Sequence, residues 1–457
     1  MSGGDSADDL RQGGRKMKRM LIFMTAAALL LTAVSCGRDK KSSSVIHPDG
    51  DTHEENAAAE VKLAFIGGET GKLSTALAEY DRANKDITLD IHRYDSSDIE
   101  YTEAFNQLTR DMLAGDTPDV IIAPPDGMRN LQRSGYLADL TPFMESSDTV
   151  TPDGLLPNVR EAVDCGGTIP YMFPCFSYET YLASTDFIGA ENENWSYDAA
   201  MEAYRSSPDK EGFPEGPTLW HFFLRQAGRE SIDFESGTCD FGGDFRRVID
   251  FLQEYPFDLN DYEYKDSSAD HMRALNIAGI SGINLFSASY VYSMYGGAPV
   301  TYAGYPSAEC DGAFVTVPHL WAVPENSGNK DKGWALIENF LRLSEQKKMS
   351  LEYVSGVPVT EEALQALAYD TPSYMAMSAR AALTPPDGGD ESLYITDESV
   401  EKLLDYSRRV KIDLDHGSIL DNMIRNEWLE VMRGEQTADE CVESLNNRVG
   451  LYLSERQ

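Results

Sequence analysis

From Val61 to Glu145 the apolar positions switch between two periods. Val61, Leu63, Ala64, Phe65 and Ile66 form a short apolar run that stops at Gly67-Gly68. Leu73, Leu77 and Tyr80 follow at helical spacing, and Ile87 to Tyr94 alternates apolar with polar residues as a half-buried strand does. Phe105, Leu108 and Met112 mark a second helix ended by Gly115. Val120-Ile121-Ile122-Ala123 is then apolar on both faces and stops at Pro124-Pro125-Asp126. Strand, helix, strand, helix, strand predicts a parallel α/β layer whose sheet is covered by helices on both sides. In such sheets ligands sit beyond the carboxyl ends of the strands, an edge that here carries Gly67, Gly68, Glu69, Pro125 and Asp126.

Further along, two extended runs around Pro174 lie between Asp164 and Thr185. Ser196 is placed to cap a helix whose apolar face includes Ala199, Ala200 and Ala203. Helical patterns recur at Leu219–Gln226, Phe245–Glu254 and Ala269–Ala278, and Ala313 to Val323 reads as one strand. Trp334, Ile337 and Leu341 share a helical face. The C-terminal region is helical, with a Thr437/Glu440 capping box followed by a stripe of Val442, Leu445, Val449 and Tyr452.

At 457 residues the chain is too long for one ordinary core, so two or three domains are expected. Acidic residues outnumber basic ones 76 to 39, for a net charge of −37. That balance, with no basic patch interleaved with aromatics, argues against nucleic acid as a partner. Six cysteines, at positions 36, 165, 175, 239, 310 and 441, form no CxxC and have no zinc spacing with histidine. A dense disulfide framework is excluded; one or two bridges, or small buried thiols, remain.

The leader adds a compartment. Arg15-Lys16-Met17-Lys18-Arg19 is basic, and the apolar run Leu21 to Val34 is too short to span a bilayer comfortably. It ends in Leu31-Thr32-Ala33-Val34-Ser35-Cys36, which resembles a bacterial lipoprotein signal cleaved before a lipidated Cys36, although Ala33 stands where such signals usually have Leu. A secretory signal cleaved nearby is the alternative, and both export the protein. The acidic, polar stretch Met1 to Gly14 is unlike the start of a leader, so translation is expected to begin at Met17 or Met20. Residues 37–59 lack apolar periodicity and read as a flexible tether.

Three segments of the body, in register, resemble extracellular solute-binding proteins (family 1 type) of sugar ABC transporters. They are Ala78 to Ile87, Ala114-Gly115-Asp116-Thr117-Pro118-Asp119-Val120, and Gly135-Tyr136-Leu137-Ala138-Asp139-Leu140-Thr141-Pro142. Val300-Thr301-Tyr302-Ala303-Gly304-Tyr305-Pro306, Gly356-Val357-Pro358-Val359 and the ending Asn446 to Glu455 extend the resemblance over nearly all of residues 61–457. It is thinnest between about 208 and 290. The resemblance implies an α/β, two-lobed periplasmic-binding-protein-like fold (type II), hinge-connected, with a helical C-terminal region. Crossings are expected near 170–178, 298–306 and 353–358. The first lobe would hold 60–165 plus 307–352, and the second 170–297 plus 357–457. A small solute, a sugar or oligosaccharide most often in this family, would bind between the lobes of a monomer anchored to the membrane by lipid. It would then pass to ABC permease subunits driven by a separate ATPase.

The motifs of other chemistries are incomplete or absent. Gly67 to Ser74 lies where a P-loop would, but Ile66 and Leu73 replace the required glycine and Ser/Thr. GxSxG and HExxH are absent from the sequence, and Asp413-Leu414-Asp415-His416 lacks the spacing of a calcium loop and reads as surface. No catalytic residue, cofactor or metal is therefore expected. Sugars stack their C–H faces on aromatic rings and need a few fixed hydrogen-bond partners. The candidates are Phe173 and Tyr178 at the first crossing, Trp220 at a helix start, Tyr290 and Tyr292 before the second crossing, and His319 and Trp321 in the return segment. Glu69 and Asp126 join them from the sheet edge. Core positions are the alternative for each aromatic, and the preferred one for Trp334 and Trp428. A surface glycan hydrolase and a ligand-sensing lipoprotein remain the rival functions. Polyamine- and peptide-binding relatives share the architecture, so the ligand stays open.

Overall fold

The first sheet is built from the residues whose pattern is clearest. In the computed structural model, which describes residues 58–67, 71–94, 101–190, 193–207, 213–257, 277–280, 299–308, 312–350, 356–369, 397–415 and 417–454, β1 (Ala59–Phe65) lies between β2 (Ile87–Arg93) and β3 (Val120–Ala123). Both pairings are parallel, so the connections are helical: α1 (Gly71–Ala83) after β1 and α2 (Tyr101–Leu113) after β2. β3 is buried at all four positions, as expected of a strand covered on both faces. α3 (Pro125–Arg133) begins directly after it, with Pro125 in the first turn.

The motif residues of this layer are mostly structural. The Asp119 carboxylate is buried and accepts hydrogen bonds from the Lys62 backbone N–H (3.0 Å), the Ser327 hydroxyl (2.7 Å) and the Asn329 amide (3.3 Å). It ties the start of β3 to β1 and to the loop at residues 327–329. Asp139 accepts from the Thr141 N–H and hydroxyl and from the Ile169 N–H. Burial works against its charge, but those bonds win and hold its carboxyl below the ordinary range.

The second sheet is organised by the long strand β4 (Cys175–Ser184), preceded by α4 (Pro157–Val163). α5 (Tyr197–Ser206), α6 (Gly216–Glu230) and α7 (Asp244–Gln253) follow. The described tail of the predicted helix 269–278 is not helical. Ile277–Ile280 forms β5, antiparallel to the end of β4, and the rest of that stretch lies outside the described residues. β6 (Val300–Thr301) pairs with the last residues of β4.

Residues 313–323 were expected to form one strand and instead form two. β7 (Phe314–Thr316) pairs with the middle of β4, whereas β8 (Leu320–Ala322) pairs antiparallel with β3 in the first sheet. Pro318 lies between them; without an N–H it cannot continue a ladder, so the chain changes sheet there. α8 (Lys330–Leu341) follows, with Trp334, Ile337 and Leu341 buried together. β9 (Val357–Pro358) then pairs with the start of β4.

Among the described residues the apolar side chains gather in two cores. The first holds β1–β3, α8, the start of β4 and the buried faces of α9 (Glu361–Tyr369) and α10 (Asp397–Arg409). The second holds α5–α7, α11 (Ser418–Met432) and α12 (Ala438–Ser454). The described residues 357–369 and 397–414, expected with the second lobe, bury Val359, Leu364, Leu404 and Ile412 in the first core. Their anchor is antiparallel pairing at the near end of β4, together with Asn158 of α4, whose amide donates to the Ser407 and Val410 carbonyls.

Two helix starts follow the sequence reading. The Ser196 hydroxyl accepts the Ala199 N–H (3.2 Å) at the head of α5. Thr437 and Glu440 close a reciprocal box: the Glu440 carboxylate accepts the Thr437 N–H (2.8 Å) and the Thr437 hydroxyl accepts the Glu440 N–H (3.2 Å). Thr437→Ala should cost about 1 kcal/mol through loss of this cap. Urea unfolding should show a lower midpoint at unchanged slope; an unchanged midpoint would mean the box contributes nothing. α12 buries Cys441, Leu445, Val449 and Leu453, a stripe turned slightly from the predicted one, with Val442 and Tyr452 at its half-buried margins. The described cysteines 165, 175, 239 and 441 are free thiols.

Candidate functional site

Where α3 leaves β3, its N-terminal turn faces helices of the second core. A cavity of about 860 Å3 lies between them, within the usual range of roughly 300–1,000 Å3 for ligand sites. One wall is the face of α3 carrying Asp126, Asn130 and Ser134, at successive i, i+4 positions. Beside it stands α2, which presents Thr102, Phe105, Asn106 and Thr109 at i, i+3, i+4 and i+7. The floor is the segment Phe314 to Pro318, where the chain changes sheet. The opposite wall is Arg225 of α6, Asp413, Leu414, Gly417, Asp421 of α11 and Tyr452 of α12. The lining is therefore mixed, with a few aromatic rings (Phe105, Tyr136, Phe314, Tyr452) among hydroxyls, amides and charges.

Charged groups on the far wall are held in place. Arg225 pairs with Glu179 of β4, donates to the Tyr305 hydroxyl (3.1 Å) and lies 3.5 Å from the centre of the Phe314 ring. Arg229, one turn on, pairs with Asp413 (2.9 Å). Two residues later Asp415 accepts from Nε and Nη2 of the Arg129 guanidinium (2.9 and 2.6 Å) and also from Arg133 (3.1 Å), both arginines from α3. Arg129 donates as well to the Tyr171 hydroxyl (2.6 Å). Burial disfavours the Arg129 charge, but Asp415 and Tyr171 outweigh it and raise its pKa; burial likewise pushes the Tyr171 phenol upward. The Asp413–Asp415 segment, read from sequence as plain surface, is thus a strap fastened to α6 at one end and to α3 at the other. No cluster of metal-binding groups occurs among the described residues.

Of the residues singled out from sequence, Asp126 lines the cavity. Its carboxylate sits so close to the backbone of Gly417 that a Cβ there would overlap it, which brings the first turn of α3 against the start of α11. His319 lies just behind the floor, packed on Phe65 (5.3 Å between ring centres) and on Gly67. Gly67 has φ +121°, and a Cβ on it would stand 2.7 Å from the His319 ring nitrogen, so this turn accepts only glycine.

The structure does not bring the other described aromatics to the cavity. Phe173, Tyr178 and Trp321 are fully buried in the first core: the Tyr178 hydroxyl bonds with Ser407 (3.0 Å), and Trp321 packs on Phe340. Trp220 is buried in the second core, stacked on Trp428. Strand alternation offered two faces for Tyr178 and Trp321, and each falls on the covered one; in β4 it is the partly buried Ser177 and Glu179 that face the other way. Glu69, Tyr290, Tyr292 and the lipidation candidate Cys36 lie outside the described residues. Sequence reading missed Asn130, Ser134 and the α2 face, although their helical spacing from Asp126 and from Phe105 was a usable signal. It also missed Arg225, Asp421 and Tyr452, which nothing local marks.

With this geometry in place, the comparisons with known proteins settle the class. Residues 67–347, well over half of the chain, match the bacterial extracellular solute-binding proteins, and the chain belongs to that family. Among solved structures it is similar to the sugar-binding protein MalE from Xanthomonas citri, at 17% identity and TM-score 0.56, covering 87% of this chain and 98% of that one. It is similar also to an extracellular solute-binding protein of family 1 from Alicyclobacillus acidocaldarius (13%, TM-score 0.54, 87% and 98% covered). A third is the cyclic alpha-maltosyl-1,6-maltose binding protein from Arthrobacter globiformis (14%, TM-score 0.51, 87% and 100% covered). The fold is the two-lobed α/β fold of the MalE type. A search of curated proteins found no match.

Proposed function

We propose that this protein captures a sugar or oligosaccharide outside the cell and delivers it to an ABC transporter permease, without chemical turnover. The observation that carries the reading is the 860 Å3 cavity lined from both cores. A ligand there touches both walls at once, and so stabilises the arrangement in which they face each other. The mixed lining suits a sugar: Phe105 and Tyr136 offer ring faces, and Asp126, Asn130 and Thr109 offer hydrogen-bond partners. One of the fold neighbours is named a sugar-binding protein and another a cyclic alpha-maltosyl-1,6-maltose binding protein, which supports the class of ligand. The strands that run alongside β4 serve as the hinge. Cys36 carries the lipid anchor at the outer face of the membrane, the body binds as a monomer, and the 37–59 tether lets it reach the permease.

Thermal unfolding against mono- and oligosaccharides, peptides and polyamines tests this. One sugar class should raise the midpoint; at a hundredfold its dissociation constant the stabilisation is about 2.7 kcal/mol. Asp126→Ala should weaken that ligand about tenfold or more, measured by titration of the folded variant, because a charged hydrogen-bond partner is lost. A shift with polyamines or peptides alone would overturn the sugar, and consumption of a glycan would overturn the receptor.

A further inference from the structure

We propose that the polar groove between α6 and α11 is a second sugar subsite continuous with the main cavity, so that the ligand is an elongated oligosaccharide whose arm leaves the cleft over Arg225 and Asp421. This rests on the sugar reading above. The groove has a volume of about 520 Å3, and Arg225 and Asp421 line both it and the main cavity. The two spaces thus meet at one sill.

Its walls are built for a hydroxylated chain. On α6, Thr218, His221 and Arg225 follow at successive turns, and on α11 Asp421 and Arg425 stand one turn apart with Asn422 beside Asp421. Facing helices normally meet through apolar side chains, and lower down these do: Trp220 stacks on Trp428, and Ile424 is buried beside them. The rest of the groove instead carries three hydrogen-bonding side chains from each helix. Guanidinium groups supply donors and the carboxylate supplies acceptors. Threonine, asparagine and a neutral imidazole supply both, matching hydroxyls that donate and accept at once. Burial, with Arg425 beside it, lowers the His221 pKa against the opposing pull of Asp421, which favours that neutral imidazole.

The test is a length series of one bound saccharide, from monosaccharide to hexasaccharide, titrated calorimetrically against the wild-type protein, His221→Phe and Asn422→Trp. The first variant removes the imidazole's polar atoms and keeps a ring; the second fills the groove from an exposed position. Wild-type affinity should keep rising beyond the length that the main cavity holds. Each variant should then weaken the longest ligand about tenfold, the worth of one or two lost hydrogen bonds, while the shortest binding member keeps its affinity. That retained short-ligand binding shows both variants to be folded. Affinity that is flat with length, or variants that bind long and short ligands as the wild type does, would overturn the subsite and leave the sugar reading intact. Failure of every saccharide to bind the wild type would overturn both.

Discussion

Trp321→Ala is expected to cost about 3–5 kcal/mol of folding stability, a large share of the roughly 5–15 kcal/mol that a domain has. The indole is 2% exposed, lies 4.9 Å from the Phe340 ring, and belongs to β8, which closes the first sheet against β3. Its own backbone also exchanges hydrogen bonds with Met172, where the chain leaves the first core for β4. Truncation therefore opens a cavity beneath both the sheet edge and the first crossing. Urea unfolding should give a strongly lowered midpoint. Any variant that remains folded should bind ligand with near-normal affinity at low temperature. The opposite pattern, a loss below about 1 kcal/mol with ligand binding abolished, would return the ring to the cleft.

Asp415→Ala is expected to cost about 2–3 kcal/mol. Removing one partner of a buried ion pair costs about 3–5 kcal/mol; this pair is about a fifth exposed on each side, so solvent recovers part of it. The alanine variant leaves Arg129 with Tyr171 but no carboxylate, and strips Arg133 of the same partner. Arg129→Ala made in the Asp415→Ala background should then cost much less than it does alone, because the charge it removes has already lost its counterpart. A double-mutant cycle read by urea unfolding measures that coupling, and strictly additive costs would show that the strap carries no pairwise energy. Asp413→Ala should behave likewise through Arg229, whose guanidinium side chain is 8% exposed.

These two residues divide what could be read from what could not. The first α/β layer was legible because its signals are local. A four-residue run apolar on both faces, at Val120 to Ala123, set between Pro118 and Pro124 and among helical patterns, reads as a strand covered by helices on both sides. Helix caps at Ser196 and Thr437 were legible for the same reason, since a hydroxyl and an N–H three residues apart meet without help from the rest of the chain. Even so, the sequence showed that Trp321 and Tyr178 were large and apolar without showing against what. A strand residue faces one of two sides, and whether that side is cleft or core depends on what the distant chain lays over it. Here α8 covers Trp321, and Ser407 of α10 meets Tyr178.

The strap shows the same limit for charge. Asp413 and Asp415 sit among 76 acids and carry no local mark. Only the fold brings α6 and α3, nearly a hundred residues apart in the chain, to either side of them. By itself the sequence determined the layer, the caps, the motif turns and the family, all set by neighbours within a few residues or by a pattern repeated in register. The tertiary structure decided which side of each strand meets the cavity, where Pro318 passes the chain from one sheet to the other, and which carboxylates are held by arginines. Those outcomes depend on long-range contacts, whose partners no local period encodes.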